Sequence, residues 1–306
     1  MNLGQSLRVA FRALSVNKLR SSLTMLGIII GVAAVITLLS VGEGVQRLVK
    51  EQIQSVGSNL LFVVPGSPGG GSGQGLTLTL TMRDAEAIAD PRNVPDAVAV
   101  APEVSLQAQI QYDGENKFFS VSGVTPEFAP VRNFKVELGR FIERSDVTAS
   151  SRVAVLGADV YDALFPNGDY PLGQTIKINR IPFRVIGVME RKGGGAFGSE
   201  DGNVWVPITT AQTRLNTERS RQGDPLVTVI YISVSDESRM SVAQDDITRL
   251  LRERHKIAPD DDDDFMVINQ ADLVEIFGQI TGVLTLFLGA IAGISLLVGG
   301  IGIMNI

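Results

Sequence analysis

Two long uncharged stretches frame the sequence, and charged residues are confined to the chain before and between them. No Asp, Glu, Lys or Arg interrupts residues 21–42 or residues 276–306. At about 1.5 Å of helical rise per residue, either stretch can cross the ~30 Å hydrocarbon core of a bilayer. We therefore predict transmembrane helix 1 at 21–42, and the end of a stalk followed by transmembrane helix 2 at 276–306.

Each span has an alternative interpretation. A secretory signal peptide also joins a basic start to an apolar core, but the first stretch is long for such a core and no convincing cleavage motif follows it. The second stretch could be a buried core helix, but so long an apolar run is unusual in a soluble protein. The patterns favour two retained spans.

The distribution of charge predicts the orientation of the chain. Residues 1–20 carry four basic side chains and no acidic one, whereas all 33 acidic residues lie within 43–275. The positive-inside rule places the N-terminus in the cytoplasm and residues 43–275 outside the cell's inner (cytoplasmic) membrane. Residues 1–20 have the pattern of a cytoplasmic amphipathic helix, or of a plain extension of helix 1. The acidic outer region argues against nucleic acid as a partner.

The outer region predicts an α+β domain. A helical stalk at 43–57 is followed by strand and helix patterns. Pieces of strand and helix at the two ends, 59–90 and 225–269, are expected to pair, with a strand-rich insert between them. Thr81 and Asp84 have the spacing of a capping box, which predicts a helix from residue 82.

Nothing in the composition indicates an active site. The chain has no cysteine, which excludes thiolate chemistry. Its only histidine is His255, so no pair of histidines is available. Its position among basic residues at a helix C-terminus predicts a solvent-exposed side chain. We expect no catalytic, cofactor-binding or metal-ligating residue in this chain.

Two low-complexity segments are predicted to be loops. The glycine-rich stretch 66–75 lacks the Lys-Ser/Thr ending of a phosphate-binding loop. The five acidic residues at 260–264 lack the alternation and the glycine of a calcium loop. A solvated loop is the main interpretation of the acidic run, and weak binding of divalent cations is the alternative.

Small residues recur at helical spacing in both spans. They are Gly27, Gly31 and Ala34 in the first span and Gly282, Gly289 and Gly293 in the second. Small side chains let helix backbones approach closely in lipid, so we predict that these positions pack against another helix of the same chain or of a second copy. The alternative is that glycine is simply frequent in membrane helices. Gly42, at the membrane surface, is expected to tolerate added bulk better.

Three separated segments resemble one known family. The opening LRVAFRALSVNKLRSSLTMLGIIIGVAAVI, the stretch 139–189 and the ending GGIGIMNI at 299–306 are similar to MacB-type (FtsX-like) ABC transporter permeases. The resemblance covers nearly the whole chain. It implies that the outer domain has a porter-like part, made of 58–102 and 216–269, and a small inserted strand-rich α/β part at 103–215.

The resemblance implies a permease subunit that works by mechanotransmission. In this family, ATP hydrolysis moves the membrane helices of a dimer, and the stalks carry that motion to the outer domains for export or efflux. The implied partners are a second permease copy, a separate ABC ATPase subunit that binds ATP and Mg, a membrane-fusion adaptor protein and the lipid bilayer. No cofactor is implied in this chain, and the substrate is not indicated.

Two departures from the family shape the expectation. The family has further spans after the second, and no nucleotide-binding domain precedes Met1 here. We therefore expect a chain truncated after transmembrane helix 2, with the ATPase in a separate subunit. The alternative is a two-span membrane sensor with an extracellular ligand-binding domain, and a weaker one is a membrane-anchored scaffold. The residues that follow Ile306 in the gene distinguish these possibilities.

Overall fold

The computed structural model describes residues 59–66, 79–195, 198–220 and 222–269, together with individual helical positions between 25 and 44 and between 278 and 300. The chain divides into two units. One is Glu51–Asp272, and the other combines Met1–Lys50 with Leu273–Ile306. The predicted cytoplasmic helix at 1–20, nearly all of the stalk and most of the glycine-rich loop lie outside the described residues.

The smaller unit is helical at every described position. No helix formed by the described residues is both long and apolar enough to cross a membrane. Many residues of 21–42 and 276–306 lie outside the described part of the chain, and the two spans stay predictions.

The larger unit, Glu51–Asp272, combines strands with short helices. Its described strands are β1 (Leu60–Pro65), β2 (Ala97–Tyr112), β3 (Glu115–Val124), β4 (Val136–Gly139), β5 (Val153–Leu156), β6 (Thr175–Ile178), β7 (Ile181–Met189), β8 (Gly194–Gly195), β9 (Gly198–Ser199), β10 (Asn203–Pro207), β11 (Val229–Val234) and β12 (Phe265–Asn269). Its described α-helices are α1 (Met82–Ile88), α2 (Phe128–Val131), α3 (Arg144–Thr148), α4 (Ala158–Leu164), α5 (Ile208–Thr210) and α6 (Met240–His255). A π-helical turn, Ala211–Leu215, follows α5.

The long strand β2 belongs to two parts of one sheet. Its first half pairs with β11 in the order β12–β1–β11–β2. Its second half pairs with β3 and β6, and the pairings β3–β10, β10–β5, β5–β7 and β7–β6 close these strands into a ring. Only β10–β3 and β5–β7 are parallel among the described pairs. Because β2 runs through both parts, they share a continuous backbone ladder.

Three apolar clusters stabilise this unit. One lies between α1, α6 and the strands β1 and β11, and includes Leu61, Ile88 and Ile247. A second fills the strand ring and includes Ile110 and Phe183. Fully burying such a side chain contributes roughly 1.5–3 kcal/mol.

The third cluster lies where the two parts of the sheet meet. It is rich in aromatic side chains, namely Phe128, Phe134, Trp205 and Tyr231. The Phe134 and Trp205 rings meet edge to face, with centroids 5.3 Å apart. Such offset contacts stabilise the packing beyond the area that they bury.

The capping box predicted at the start of α1 is confirmed. The Thr81 hydroxyl accepts from the Asp84 backbone N–H, and an Asp84 carboxylate oxygen accepts from the Thr81 backbone N–H at 2.9 Å. The backbone N–H groups of Thr81 and Asp84, which have no acceptor within the helix, are thereby hydrogen-bonded.

Candidate functional site

The predicted helix-packing residues lie in the smaller unit. A Cβ built on Gly27, Gly282, Gly289 or Gly293 meets no described atom within 4 Å. Gly31 is a buried helical position, and Ala34 lies outside the described residues. Their role in helix packing stays a prediction, because no second copy is present.

Gly42 is the exception in this unit. A Cβ there would lie 2.9 Å from Cγ2 of Thr281, closer than side chains approach one another. Bulk at Gly42 would therefore have to displace Thr281, a contact that spacing within one helix cannot reveal. The expectation that Gly42 tolerates bulk better than the helix-packing positions stays a prediction.

His255 was expected to be solvent-exposed, and this expectation was also wrong. Its side chain is only 10% exposed. Its Nδ1 lies 2.7 Å from a carboxylate oxygen of Asp264, and its Nε2 lies 3.4 Å from Asp84. These hydrogen bonds, to Asp264 first, outweigh burial and raise the pKa of His255 to about 9. The imidazole is thus a charged link between the end of α6 and its neighbours.

The acidic run at 260–264 is bonded to its surroundings at its C-terminal end. The Asp264 carbonyl accepts from the Gly66 N–H at 3.0 Å and from the Thr79 hydroxyl at 2.9 Å. Asp263 forms an ion pair with Arg252. Asp260–Asp262 are exposed, as a solvated loop predicts. Within the described residues, no group of three or more His, Asp or Glu side chains could hold a metal ion.

A polar cavity of the larger unit lies where β2 leaves β11 and joins β3. We call it the junction cavity, and its volume is about 230 Å³. It is lined by Glu103, Ser105, Ser120, Ser122, Phe128, Arg132, Glu200, Gly202, Asn203 and Tyr231.

One wall of the junction cavity is a polar face of the sheet. Ser105 on β2 lies opposite Ser122 on β3, and Asn203 on β10 lies opposite Ser120. Because side chains alternate along a strand, Glu103 points to the same face as Ser105. The Asn203 amide donates to the Ser122 hydroxyl at 2.8 Å, and that hydroxyl donates to Glu103. The wall is thus an ordered row of hydroxyl, amide and carboxylate groups.

The facing wall comes from α2 and the segment before β10. Arg132, which caps the C-terminus of α2, is 7% exposed and forms an ion pair with Glu200. Its guanidinium lies over the ring of Tyr231, 4.6 Å from the centroid. The Arg132 Nε has no hydrogen-bond partner among the described atoms. A planar cation stacked on an aromatic ring keeps a fixed orientation.

Burial controls the ionisation around the cavity. It raises the pKa of the Tyr231 hydroxyl, and the nearby Glu103 charge raises it further, so the phenol stays protonated. Burial, and next the Arg132 charge, lower the pKa of Lys192 to about 8. The Lys192 ammonium donates to the Arg132 carbonyl at 2.8 Å, which holds the end of α2 in place. The junction cavity can therefore bind a small polar molecule in a site of fixed charge.

The junction cavity was not among the sites predicted from the sequence. Its local signal is the alternation of polar residues at 103, 105 and 107 on β2 and at 120 and 122 on β3. An ordinary solvent-facing strand gives the same pattern. Arg132 and Glu200 cover that face and come from segments distant in the sequence. The spacing of residues along the chain therefore does not connect them with the polar strand positions.

The sheet and the helices that pack on it define an α/β domain. The chain belongs to the family described as MacB-like periplasmic core domain, whose model matches residues 21–250. The larger unit is therefore an extracytoplasmic segment of a MacB-type ABC transporter permease in the cell membrane.

Relatives of known name agree with this family. The chain is 38% identical over 306 residues to the macrolide export ATP-binding/permease protein MacB of Azoarcus sp. (strain BH72), covering 100% of this chain and 44% of the relative. It is 39% identical over 305 residues to the protein of the same name from Rhodospirillum rubrum, covering 99% of this chain and 45% of the relative. The chain thus spans less than half the length of these curated relatives.

Solved structures agree with the fold. The periplasmic region of MacB from Actinobacillus actinomycetemcomitans superposes with a TM-score of 0.62 at 23% identity, over 75% of this chain and 97% of that one. The extracellular domain of the noncanonic ABC-type transporter YknZ from Gram-positive bacteria gives a TM-score of 0.54 at 17% identity, over 69% of this chain and 100% of that one.

Proposed function

We propose that this chain is the permease part of a MacB-type efflux transporter and that it works by mechanotransmission. ATP hydrolysis in a separate subunit, which binds ATP and Mg, moves the membrane helices of a permease dimer, and the outer domain moves with them. The relatives are named for macrolide export, and we take a macrolide as the first substrate to test. A membrane-fusion adaptor is a further partner of the outer domain.

The observation that supports this mechanism is the pairing of β1 with β12. The chain enters the larger unit just before β1 and leaves it just after β12. Leu61, at the start of β1, lies opposite Asn269, the last residue of β12. Both connections to the smaller unit therefore join the sheet at one end of its edge. A displacement of these connections pulls on that edge as a whole.

The continuity of the sheet supports transmission beyond that edge. β12, β1, β11 and β2 are neighbours in one hydrogen-bonded ladder, and β2 continues into the strand ring. Strands bonded in this way move together, because shearing them would break buried backbone hydrogen bonds. Motion of the edge is thus conveyed to the inserted part.

We propose that ATP is hydrolysed by a separate subunit. No GxxxxGK[ST] sequence is present in these 306 residues. The relatives, of which this chain covers less than half, are named as combined ATP-binding and permease proteins. An ATP-binding part of the same protein is therefore the other possible outcome of the test. Co-purification of an ATPase with the tagged full-length protein tests the proposal.

The mechanism is tested by loosening the connection to the sheet edge. A Gly-Gly-Ser-Gly-Gly-Ser insert between residues 57 and 58 makes a flexible coil, which transmits force poorly. The same insert between residues 70 and 71, in the glycine-rich segment, is the matched control. The readout is macrolide resistance of cells that express the full-length gene with its ATPase. We expect resistance to fall by about tenfold for the first insert and little for the second, with ATPase activity kept. Full resistance with the first insert would refute mechanotransmission.

The proposed orientation has its own test. In this cysteine-free chain, Asp262→Cys should react with a membrane-impermeant maleimide in intact cells, because residues 43–275 are proposed to lie outside the cytoplasmic membrane. Asn2→Cys should react only after lysis. The opposite pattern would reverse the topology.

A further inference from the structure

We propose that the junction cavity is a binding site for a small hydroxylated amine, of the size and chemistry of an amino sugar or amino alcohol, that carries one positive charge. This goes beyond the proposed function, because the site lies inside the outer domain and involves neither membrane helices nor ATP.

The charge of the lining favours a cation. The cavity is lined by two carboxylates, Glu103 and Glu200, and by one guanidinium, Arg132. Arg132 is paired with Glu200, which leaves one net negative charge, that of Glu103. Glu103 is 7% exposed and accepts hydrogen bonds from the Ser122 and Tyr231 hydroxyls. A protonated amine is the ligand group that compensates the remaining charge of such a lining.

The hydrogen-bonding groups of one wall favour a hydroxylated ligand. Glu103 accepts from the Ser122 hydroxyl, and the wall adds Ser105, Ser120 and Asn203, which both donate and accept. A ligand with hydroxyl groups beside its amine satisfies this wall, whereas an apolar ligand would leave it unpaired.

The volume of the cavity limits the size of the ligand. Phe128 and Tyr231 also line the cavity, and the Arg132 guanidinium already lies over the Tyr231 ring. A volume of about 230 Å³ is below the ~300–1,000 Å³ that encloses drug-sized molecules. The occupant is therefore a small molecule, or one small substituent of a larger one.

The structure offers a built-in reporter for binding. The only tryptophan of the chain is Trp205, which is fully buried. Its ring centroid lies 6.4 Å from that of Phe128, which lines the cavity. Occupation of the cavity should change the emission of Trp205, the only tryptophan in these 306 residues.

The experiment titrates the full-length protein in detergent with glucosamine and follows Trp205 fluorescence at pH 7. Glucose, which has a hydroxyl in place of the amine, is the matched ligand control. We expect saturable binding of glucosamine and at least about tenfold weaker binding of glucose, since the lost ion pair is worth about 1.4 kcal/mol or more. Equal binding of the two sugars, or no saturable signal with glucosamine, would overturn the proposal.

Three variants locate the site. Glu103→Gln removes the charge and keeps the shape, and should weaken glucosamine binding about tenfold. Gly202→Leu fills the cavity without changing any charge, because a Cβ on Gly202 meets no described atom within 4 Å, and should weaken binding similarly. Glu137→Gln, at an exposed carboxylate on β4, is the control and should bind like the unmodified protein. Glucosamine binding that survives both Glu103→Gln and Gly202→Leu would refute the assignment. So would a signal that Ca²⁺ or Mg²⁺ alone reproduces and EDTA reverses.

Discussion

The Nε of Arg254, near the end of α6, lies 2.7 Å from Oδ1 of Asp84 in the first turn of α1. This ion pair joins two helices that are far apart in sequence and pack on the same side of the sheet. Asp84 is 3% exposed and also accepts from Thr81 and from His255. Burial alone would raise the pKa of Asp84, but the hydrogen bonds from His255, Thr81 and Arg254 outweigh it and hold the pKa below its ordinary value.

Replacing Asp84 should strongly destabilise the outer domain. Asp84→Asn removes the charge that compensates Arg254 and His255 and weakens the capping box of α1. Asp84 is buried but Arg254 is one-third exposed, so losing these charge-assisted hydrogen bonds should cost about 1.5–3 kcal/mol. The measurement is the free energy of unfolding from denaturant titration of the full-length protein, followed by Trp205 fluorescence.

Asp90→Asn is the control for this prediction. Asp90 lies just after α1 and pairs with Arg92, whose side chain is 88% exposed. Exposed pairs contribute little, so the effect should be much smaller. Equal destabilisation by both variants would mean that the Asp84 contacts have no special importance.

The raised pKa of His255 predicts a defined pH dependence. Its folded-state pKa of about 9 exceeds the ordinary value of 6.5. The stabilisation is fully present below pH 6.5 and is lost as the pH rises through 9. His255→Gln should remove this loss. Unfolding free energies of both proteins between pH 6 and 10 provide the measurement, and parallel profiles would contradict the prediction. The pKa of Lys192 is lowered, so its titration changes the stability in the opposite direction. This contribution is the same in both proteins and cancels when the two profiles are subtracted.

Local sequence patterns were sufficient for two helices of the outer domain. The apolar positions Val242, Ile247, Leu250 and Leu251 predict an amphipathic helix at 241–254, which corresponds to α6 (Met240–His255). The capping box places the start of α1 correctly. Both signals act within one or two helical turns. They are read from neighbouring residues and do not depend on the rest of the fold.

Long-range contacts could not be predicted in this way. His255 and Asp84 are 171 positions apart, and the burial of His255 depends on that contact. The strand ring requires β2 to pair with β6 through Ile110 and Ile178, which the alternation of either strand does not specify. The junction cavity has the same origin, because its walls are adjacent only after the sheet has formed.

Two glycines with similar backbones should respond differently to substitution. Gly139 and Gly173 have φ of +79° and +84°, a conformation that strains any L-residue. Gly173→Ala meets no described atom within 4 Å and should cost only that strain, about 1–2 kcal/mol. A Cβ on Gly139 would also lie 2.2 Å from the Ile186 carbonyl oxygen, so Gly139→Ala should cost clearly more. Thermal denaturation compares them, and equal melting temperatures would show that the sheet yields at Gly139.

The last prediction separates packing within one chain from packing between copies. Gly42→Leu must displace Thr281, whose Cγ2 lies 2.9 Å from the position of a Cβ, and should lower the stability of the single chain. Gly27→Leu meets no described atom within 4 Å in its own chain, so it should leave that stability unchanged. If Gly27 packs against a second permease copy, however, the leucine should weaken the dimer by about 1–2 kcal/mol. The two readouts are the melting temperature in detergent and the dimer fraction by cross-linking, at matched expression. If the Gly27→Leu dimer is as stable as the original, the added side chain meets no neighbour in the single chain or in the dimer. The small residues of helix 1 would then reflect only the frequency of glycine in membrane helices.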